Sequence, residues 1–167
     1  YGQESLARVA PRAGRLRLTS TYPAVNASYL CLSLDERRLY AVGETKRFRG
    51  EAGGSVQSYD IAEDGALTET SIQPTHGEDP CHLSIVGNLL LTANYSSGSV
   101  SRFSLESDGR IGAALPLIQH HGHGAKPDRQ SGPHTHQVQR TPGGWLAVSD
   151  LGLDAVFFYP AAGLSDE

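Results

Sequence analysis

The stretch Gly132-Pro133-His134-Thr135-His136-Gln137-Val138 places two imidazoles where a loop runs into a β-patterned segment. Imidazole titrates near neutral pH, so His134 and His136 suit proton transfer, an imidazole serving as base and then as acid. Asp150, within Val148-Ser149-Asp150-Leu151-Gly152, adds a carboxylate that could orient a histidine ring. The loop before the pair, 120 to 132, carries His120, His121, His123, Lys126, Asp128 and Arg129. Arg129 offers a planar fork of donors suited to phosphate or carboxylate, and Lys126 a point charge in the same loop. Five histidines between 120 and 136 raise the question of a metal. No carboxylate or Cys stands at a recognised ligand spacing beside them, so no metal is expected. Neither a Gly-rich phosphate loop, a Ser nucleophile elbow nor a dinucleotide fingerprint is present, and no cofactor is expected. Each candidate also has a plain structural role open to it: a strand-start histidine bonded to backbone, an Asp capping a turn, a solvated loop cation.

Short segments must position these groups. Alternating apolar and polar residues at 5–9 and 15–22, around Pro11-Arg12-Ala13-Gly14, predict a hairpin. Four short strands then follow through residue 74, with turns at Asp35-Glu36-Arg37-Arg38 and Glu63-Asp64-Gly65 and a basic loop holding Lys46, Arg47 and Arg49. The same four-part unit returns from Cys81 to Ile118, and a third copy from Thr135 has three strands. Gly54-Ser55-Val56, Gly98-Ser99-Val100 and Asp154-Ala155-Val156 align, with Tyr59, Phe103 and Tyr159 three residues on. A four-stranded unit repeating at about 40–50 residues is the propeller period, which these landmarks favour over a plain antiparallel sandwich. The expected fold is therefore all-β, a β-propeller of four-stranded antiparallel blades. Its segments are 5–22 (the end of one blade), 26–74, 79–118 and the incomplete 133–167, in one partial domain.

In such a blade the chain reverses at every turn, so the start of the first strand and the end of the second share a face. The copies predict Tyr29, His82 and His136 at one equivalent place and Glu44, Tyr95 and Asp150 at another. Glu44, His82 and Tyr95 thereby become candidate substrate contacts beside Arg129 and Lys126, in the concave polar setting that takes small molecules. For Glu44 and His82 a hydrogen-bonded contact between blades is equally open.

A net charge of -4 and a pI near 6.0 leave no polyelectrolyte signature, so neither nucleic acid nor an anionic membrane is an expected partner. No apolar run approaches a membrane span and no signal-peptide pattern opens the chain, which predicts a soluble, cytoplasmic protein. Cys31 and Cys81, in no CxxC spacing and inside apolar strand patterns, are expected as buried thiols. Methionine is absent even at position 1, so the chain is expected to be processed or part of something longer.

Asn26-Ala27-Ser28-Tyr29-Leu30, Asp79-Pro80-Cys81-His82-Leu83, Asn94-Tyr95-Ser96-Ser97-Gly98-Ser99-Val100, the run Asp128-Arg129-Gln130-Ser131-Gly132-Pro133-His134-Thr135-His136 and Asp150-Leu151-Gly152 resemble the propeller-type 6-phosphogluconolactonase family. The related carboxy-muconate cyclases share the pattern. The resemblance implies a seven-bladed propeller, of which about three and a half blades are present. The missing blades of the same chain, or self-association, would then cover its open faces, and the fragment alone would be an inactive lactonase. It also implies hydrolysis of a phosphorylated sugar lactone, 6-phosphogluconolactone, in the pentose phosphate pathway, with His136, His134 and Asp150 in acid–base roles and Arg129 on the anion. A lactonising cyclase and a non-catalytic binding platform are the alternatives, since fold does not fix function. Two departures from the family pattern stand out: Gly43, where Asn is usual before Glu44, and the histidine-rich 120–123.

Overall fold

The computed structural model describes residues 4–12, 15–162 and 164, and among them every regular element is a β-strand. Strands β1 (Glu4–Arg12) and β2 (Arg15–Ala24) pair as an antiparallel hairpin. The first four-stranded sheet has the order β3 (Leu30–Leu32), β4 (Arg38–Gly43), β7 (Ser55–Ile61), β8 (Leu67–Pro74). A small hairpin of β5 (Arg47–Phe48) and β6 (Glu51–Ala52) interrupts its β4–β7 connection. The second sheet runs β9 (Pro80–Val86), β10 (Leu89–Asn94), β11 (Ser99–Leu105), β12 (Ile111–Gln119). A three-stranded sheet follows, β13 (Thr135–Arg140), β14 (Trp145–Asp150) and β15 (Ala155–Pro160). All pairings are antiparallel and, the β5–β6 insertion apart, between sequential strands, the meander that builds propeller blades.

Packing explains the strand composition. In β10 every residue of Leu-Leu-Leu-Thr-Ala-Asn is buried, because a middle strand is covered by a sheet on each face and needs no polar alternation. Leu90 packs with Tyr40, Val42, Val56, Leu83 and Phe103 between the first and second sheets. Its neighbour Leu91 faces Val100, Val138, Leu146 and Val148 between the second and third. Tyr22 meets Tyr59 edge-on at 5.1 Å and joins β2 to the first sheet. On β15, Phe157 and Tyr159 pack inward, whereas Val156 and Phe158 are exposed. Leucine cores of this kind contribute about 2–5 kcal/mol per side chain when truncated to Ala.

The register corrects part of the expected equivalence. Gly43 pairs with Ser55, Asn94 with Ser99 and Asp150 with Ala155, so the aligned landmarks hold. Asp150 therefore corresponds to Asn94 and Gly43, not to Tyr95 and Glu44. Likewise His82 pairs with Ala93 and Gln137 with Ser149, while His136 sits on a bulge between Thr135 and Gln137. The corresponding bulge of β9 holds Cys81, which makes Cys81 the counterpart of His136. Bulges add one residue to one strand only, and a count along the sequence cannot register them.

Candidate functional site

The loop leading to the two histidines is held from below. Pro133 lies against Gly98, and Gly132 and His134 run over Gly152, where a Cβ would fall 1.9 Å from the Gly132 carbonyl oxygen. Any side chain at 152 would push the His134 segment off β14. Buried Gln130 organises the turn by accepting from the Lys126 backbone N–H at 3.0 Å and donating to the Leu151 carbonyl at 2.9 Å. That leaves Lys126 and Arg129 exposed on the rim. Among the described residues neither forms an ion pair.

His134 is fixed at three points. Its backbone N–H donates to Asp150 Oδ1 at 2.8 Å, its ring stacks on Tyr95 at 4.6 Å between centroids, and its Nδ1 lies 2.9 Å from the Tyr95 carbonyl oxygen. A carbonyl only accepts, so Nδ1 carries a proton and the neutral ring keeps its lone pair on Nε2. The edge of the same Tyr95 ring meets His136 at 5.7 Å and 90°. His136 is exposed at a hollow of about 540 Å³ bordered by Ser149, Leu151, Asp154 and Val156. His134, His136 and Tyr95 are thus one aromatic cluster.

Asp150 is engaged elsewhere than expected. Its Oδ2 lies 2.6 Å from Nδ1 of His120, both side chains being almost fully buried, and Oδ1 also accepts from the Leu153 backbone N–H at 3.1 Å. It orients a histidine, but that histidine is His120, and it reaches His134 only through the backbone. His120 Nε2 is 2.9 Å from the Tyr159 hydroxyl, and its ring packs on Phe157 at 4.2 Å. Burial, helped by the Asp150 charge, raises the Tyr159 pKa, so the phenol stays protonated and donates. His120 is the residue that sequence reasoning passed over. Its available signal was its position directly after β12, where the first sheet has buried Thr75 after β8.

The remaining candidates spread out. His82 packs on Tyr29 at 4.3 Å with the rings tilted by 36°, and accepts a long 3.5 Å bond from the Val138 backbone N–H, linking the three blade sheets. Burial, with a smaller contribution from His136, pushes its pKa down to about 4, so it is neutral at pH 7. Glu44 is held by Asn26, which accepts from its N–H at 3.0 Å and donates to its carbonyl. Burial pushes the Cys81 thiol up to about 12, and the Glu44 charge adds to the shift. Cys31 is shifted likewise, and both cysteines are free. Among the described residues no group of three His, Cys, Asp or Glu side chains has metal-holding geometry.

Residues 5–166 match the lactonase family described as a seven-bladed β-propeller. The chain belongs to that family. This lactonase-family chain is 32% identical over 138 residues to the 6-phosphogluconolactonase of Bacillus subtilis, covering 80% of itself and 38% of that protein. The 6-phosphogluconolactonase of Formosa agariphila is 27% identical over 150 residues, 87% of this chain and 42% of the relative. The solved periplasmic gluconolactonase of Pseudomonas aeruginosa superposes with a TM-score of 0.87 at 28% identity, over 98% of this chain and 48% of that one. The chain therefore spans less than half the length of these relatives. No helix among the described residues is long and apolar enough to cross a membrane.

Proposed function

We propose that the protein hydrolyses a phosphorylated sugar lactone, 6-phosphogluconolactone, with His134 as the base. The observation that carries this reading is the Nδ1 contact to the Tyr95 carbonyl, which leaves Nε2 of His134 free to take a proton. Water attacks the lactone carbonyl carbon as His134 removes its proton. The tetrahedral oxyanion collapses, the ring C–O bond breaks, and the ring oxygen leaves with a proton supplied by the imidazole pair, His136 being the exposed member. Asp150, with both oxygens bonded and buried, positions the His134 backbone and does not transfer protons. Tyr95 holds both rings. Arg129 and Lys126 on the rim meet the phosphate, and Glu44 and His82 stand farther along the same face. The names of the B. subtilis and F. agariphila relatives support the phosphorylated substrate. A phosphosugar is retained inside a cell by its charge, and cytoplasmic residence goes with it.

The P. aeruginosa neighbour, named a periplasmic gluconolactonase, favours a second reading in which the lactone carries no phosphate. Arg129→Ala separates the two in the protein carrying its complete propeller. If Arg129 holds the phosphate, kcat/KM for the phosphorylated lactone falls about tenfold to over a hundredfold, the worth of one charged hydrogen bond. The unphosphorylated lactone is then barely affected, while His134→Ala slows both equally. Equal loss on both lactones for Arg129→Ala would remove the phosphate assignment.

A further inference from the structure

One backbone position recurs three times on the face of the site. The Asn26 carbonyl accepts from the Glu44 N–H at 3.0 Å, that of Asp79 from the Tyr95 N–H at 2.9 Å, and that of His134 from the Leu151 N–H at 2.9 Å. Asn26, Asp79 and His134 are therefore counterparts at the starts of successive sheets. Asn26 and Asp79 take left-handed backbone, φ 45° and 53°, which short polar side chains tolerate best after glycine. The candidate base thus has a carboxylate as its counterpart one blade earlier. The loop against which His134 leans, 95–98, is fastened to that carboxylate.

A single peptide unit lies between the 78–79 segment and the base. Its N–H, that of Ser96, donates to the Glu78 carbonyl at 3.2 Å, and its C=O, that of Tyr95, faces His134 Nδ1 at 2.9 Å. A planar trans peptide points these two groups opposite ways, so a flip of the unit would turn the N–H towards His134. Nδ1 would then accept, the proton would sit on Nε2, and Nε2 could no longer act as a base. The 3.2 Å bond is at the long end of the range and holds the unit loosely. Ser96 Oγ adds a second tie by donating to Asp79 Oδ2. The 78–79 segment is itself anchored, the Glu78 N–H donating to Ser97 Oγ at 3.1 Å and the Asp79 N–H to the Thr45 carbonyl at 3.0 Å. Lys46 Nζ lies 3.9 Å from the same Oδ2, but its side chain is 66% exposed against 19% for Asp79, and a solvated ion pair adds little. The Ser96 hydroxyl is what ties the carboxylate to the loop.

We infer, on the reading that His134 is the base, that Asp79 and Ser96 are positioning residues for the lactone hydrolysis. Their hydrogen bond keeps the Tyr95 carbonyl turned to His134, and so keeps the proton on Nδ1 and the lone pair on Nε2. The acceptor at 79 matters and its charge does not, because an amide oxygen there would accept from Ser96 as well.

Imidazole nitrogen NMR at about pH 8, above the ordinary imidazole pKa, together with steady-state kinetics, tests this on the protein carrying its complete propeller. The His134 signals are identified by their loss in His134→Ala, and the unaltered protein is expected to carry the His134 proton on Nδ1. Asp79→Gly keeps the left-handed backbone and removes the carboxylate, and Ser96→Ala removes the donor. Each is expected to move a large share of the proton to Nε2 and to lower kcat about tenfold or more with KM little changed. Asp79→Asn is expected to retain both the tautomer and kcat. Combining Asp79→Gly with Ser96→Ala should cost no more than either alone, because the same bond is lost. An unchanged His134 tautomer in Asp79→Gly and Ser96→Ala, or a loss in Asp79→Asn as large as in Asp79→Gly, would overturn the positioning role. Full turnover in His134→Ala would instead remove His134 as the base, and the tautomer would still decide what Asp79 and Ser96 do.

Discussion

The first-to-second and second-to-third sheet junctions share one backbone and differ in chemistry. In the earlier one Thr75, Asn94 and Ser101 form a neutral set, with Asn94 Nδ2 donating to Ser101 Oγ at 2.8 Å and Ser101 Oγ donating to the Thr75 carbonyl. In the later one His120, Asp150 and Phe157 take the same three places, and a buried carboxylate replaces the amide. An amide at 94 holds two hydroxyls. A carboxylate at 150 holds a histidine ring and two backbone N–H groups, one of them that of His134. The charged version appears where the chain must be clamped under the candidate base, and the neutral one where blades only need joining. Ionic groups inside a protein hold geometry well and stabilise poorly, since desolvation offsets their attraction.

The sharpest way to break this comparison is truncation at the shared position. Asp150→Ala strands His120 Nδ1 and two backbone donors, and should lower the unfolding free energy by about 3–5 kcal/mol. Asn94→Ala removes two neutral bonds and should cost about 1–3 kcal/mol. Urea denaturation of both variants measures the difference, and equal losses would mean that the two junctions are energetically alike.

A smaller effect comes from His82, which lies where the junctions meet. Its folded pKa, about 4, is below the ordinary 6.5 because burial disfavours the cation. The unfolded chain binds the proton more readily, so the fold is fully stable with respect to His82 above pH 6.5 and loses stability as pH falls towards 4. The loss is on the order of 2–3 kcal/mol over that window. His82→Phe should flatten the slope between pH 6.5 and 4, whereas Asn94→Ala should leave it intact, and an unchanged slope in His82→Phe would assign the acid sensitivity to another group.

The smallest expected effect is Tyr159→Phe. It removes the hydroxyl that donates to His120 Nε2 and should cost about 0.5–1.5 kcal/mol. It should also sharpen the comparison through coupling. Combined with Asp150→Ala its cost should largely vanish, because the ring it steadies has already lost its anchor. Full additivity in thermal unfolding would show that Tyr159 and Asp150 act on His120 independently.

Much of this was legible in the residues themselves. Period-2 alternation, turn residues and the Gly-Ser-Val landmarks determined the strands and the repeat, because side-chain alternation is local and is written in consecutive residues. The Gly-Pro-His-Thr-His run marks the candidate site for the same reason, and Tyr95 and His134, whose rings stack, are both among the candidates the residues offer. Three things were decided only by the tertiary structure. The bulges at Cys81 and His136 shifted the equivalences by one residue, since strand pairing sets register and the sequence has no mark for an unpaired residue. The partner of Asp150 was His120, 30 positions earlier in the chain and in the neighbouring sheet, where only blade-on-blade packing brings it. Gly43 read as a departure from a family pattern, and what fills its place, Ser55 Oγ held by Gln57 Nε2, is set only by the pairing of β4 with β7. Local pattern fixes the elements, and long-range packing chooses which polar groups they leave to meet.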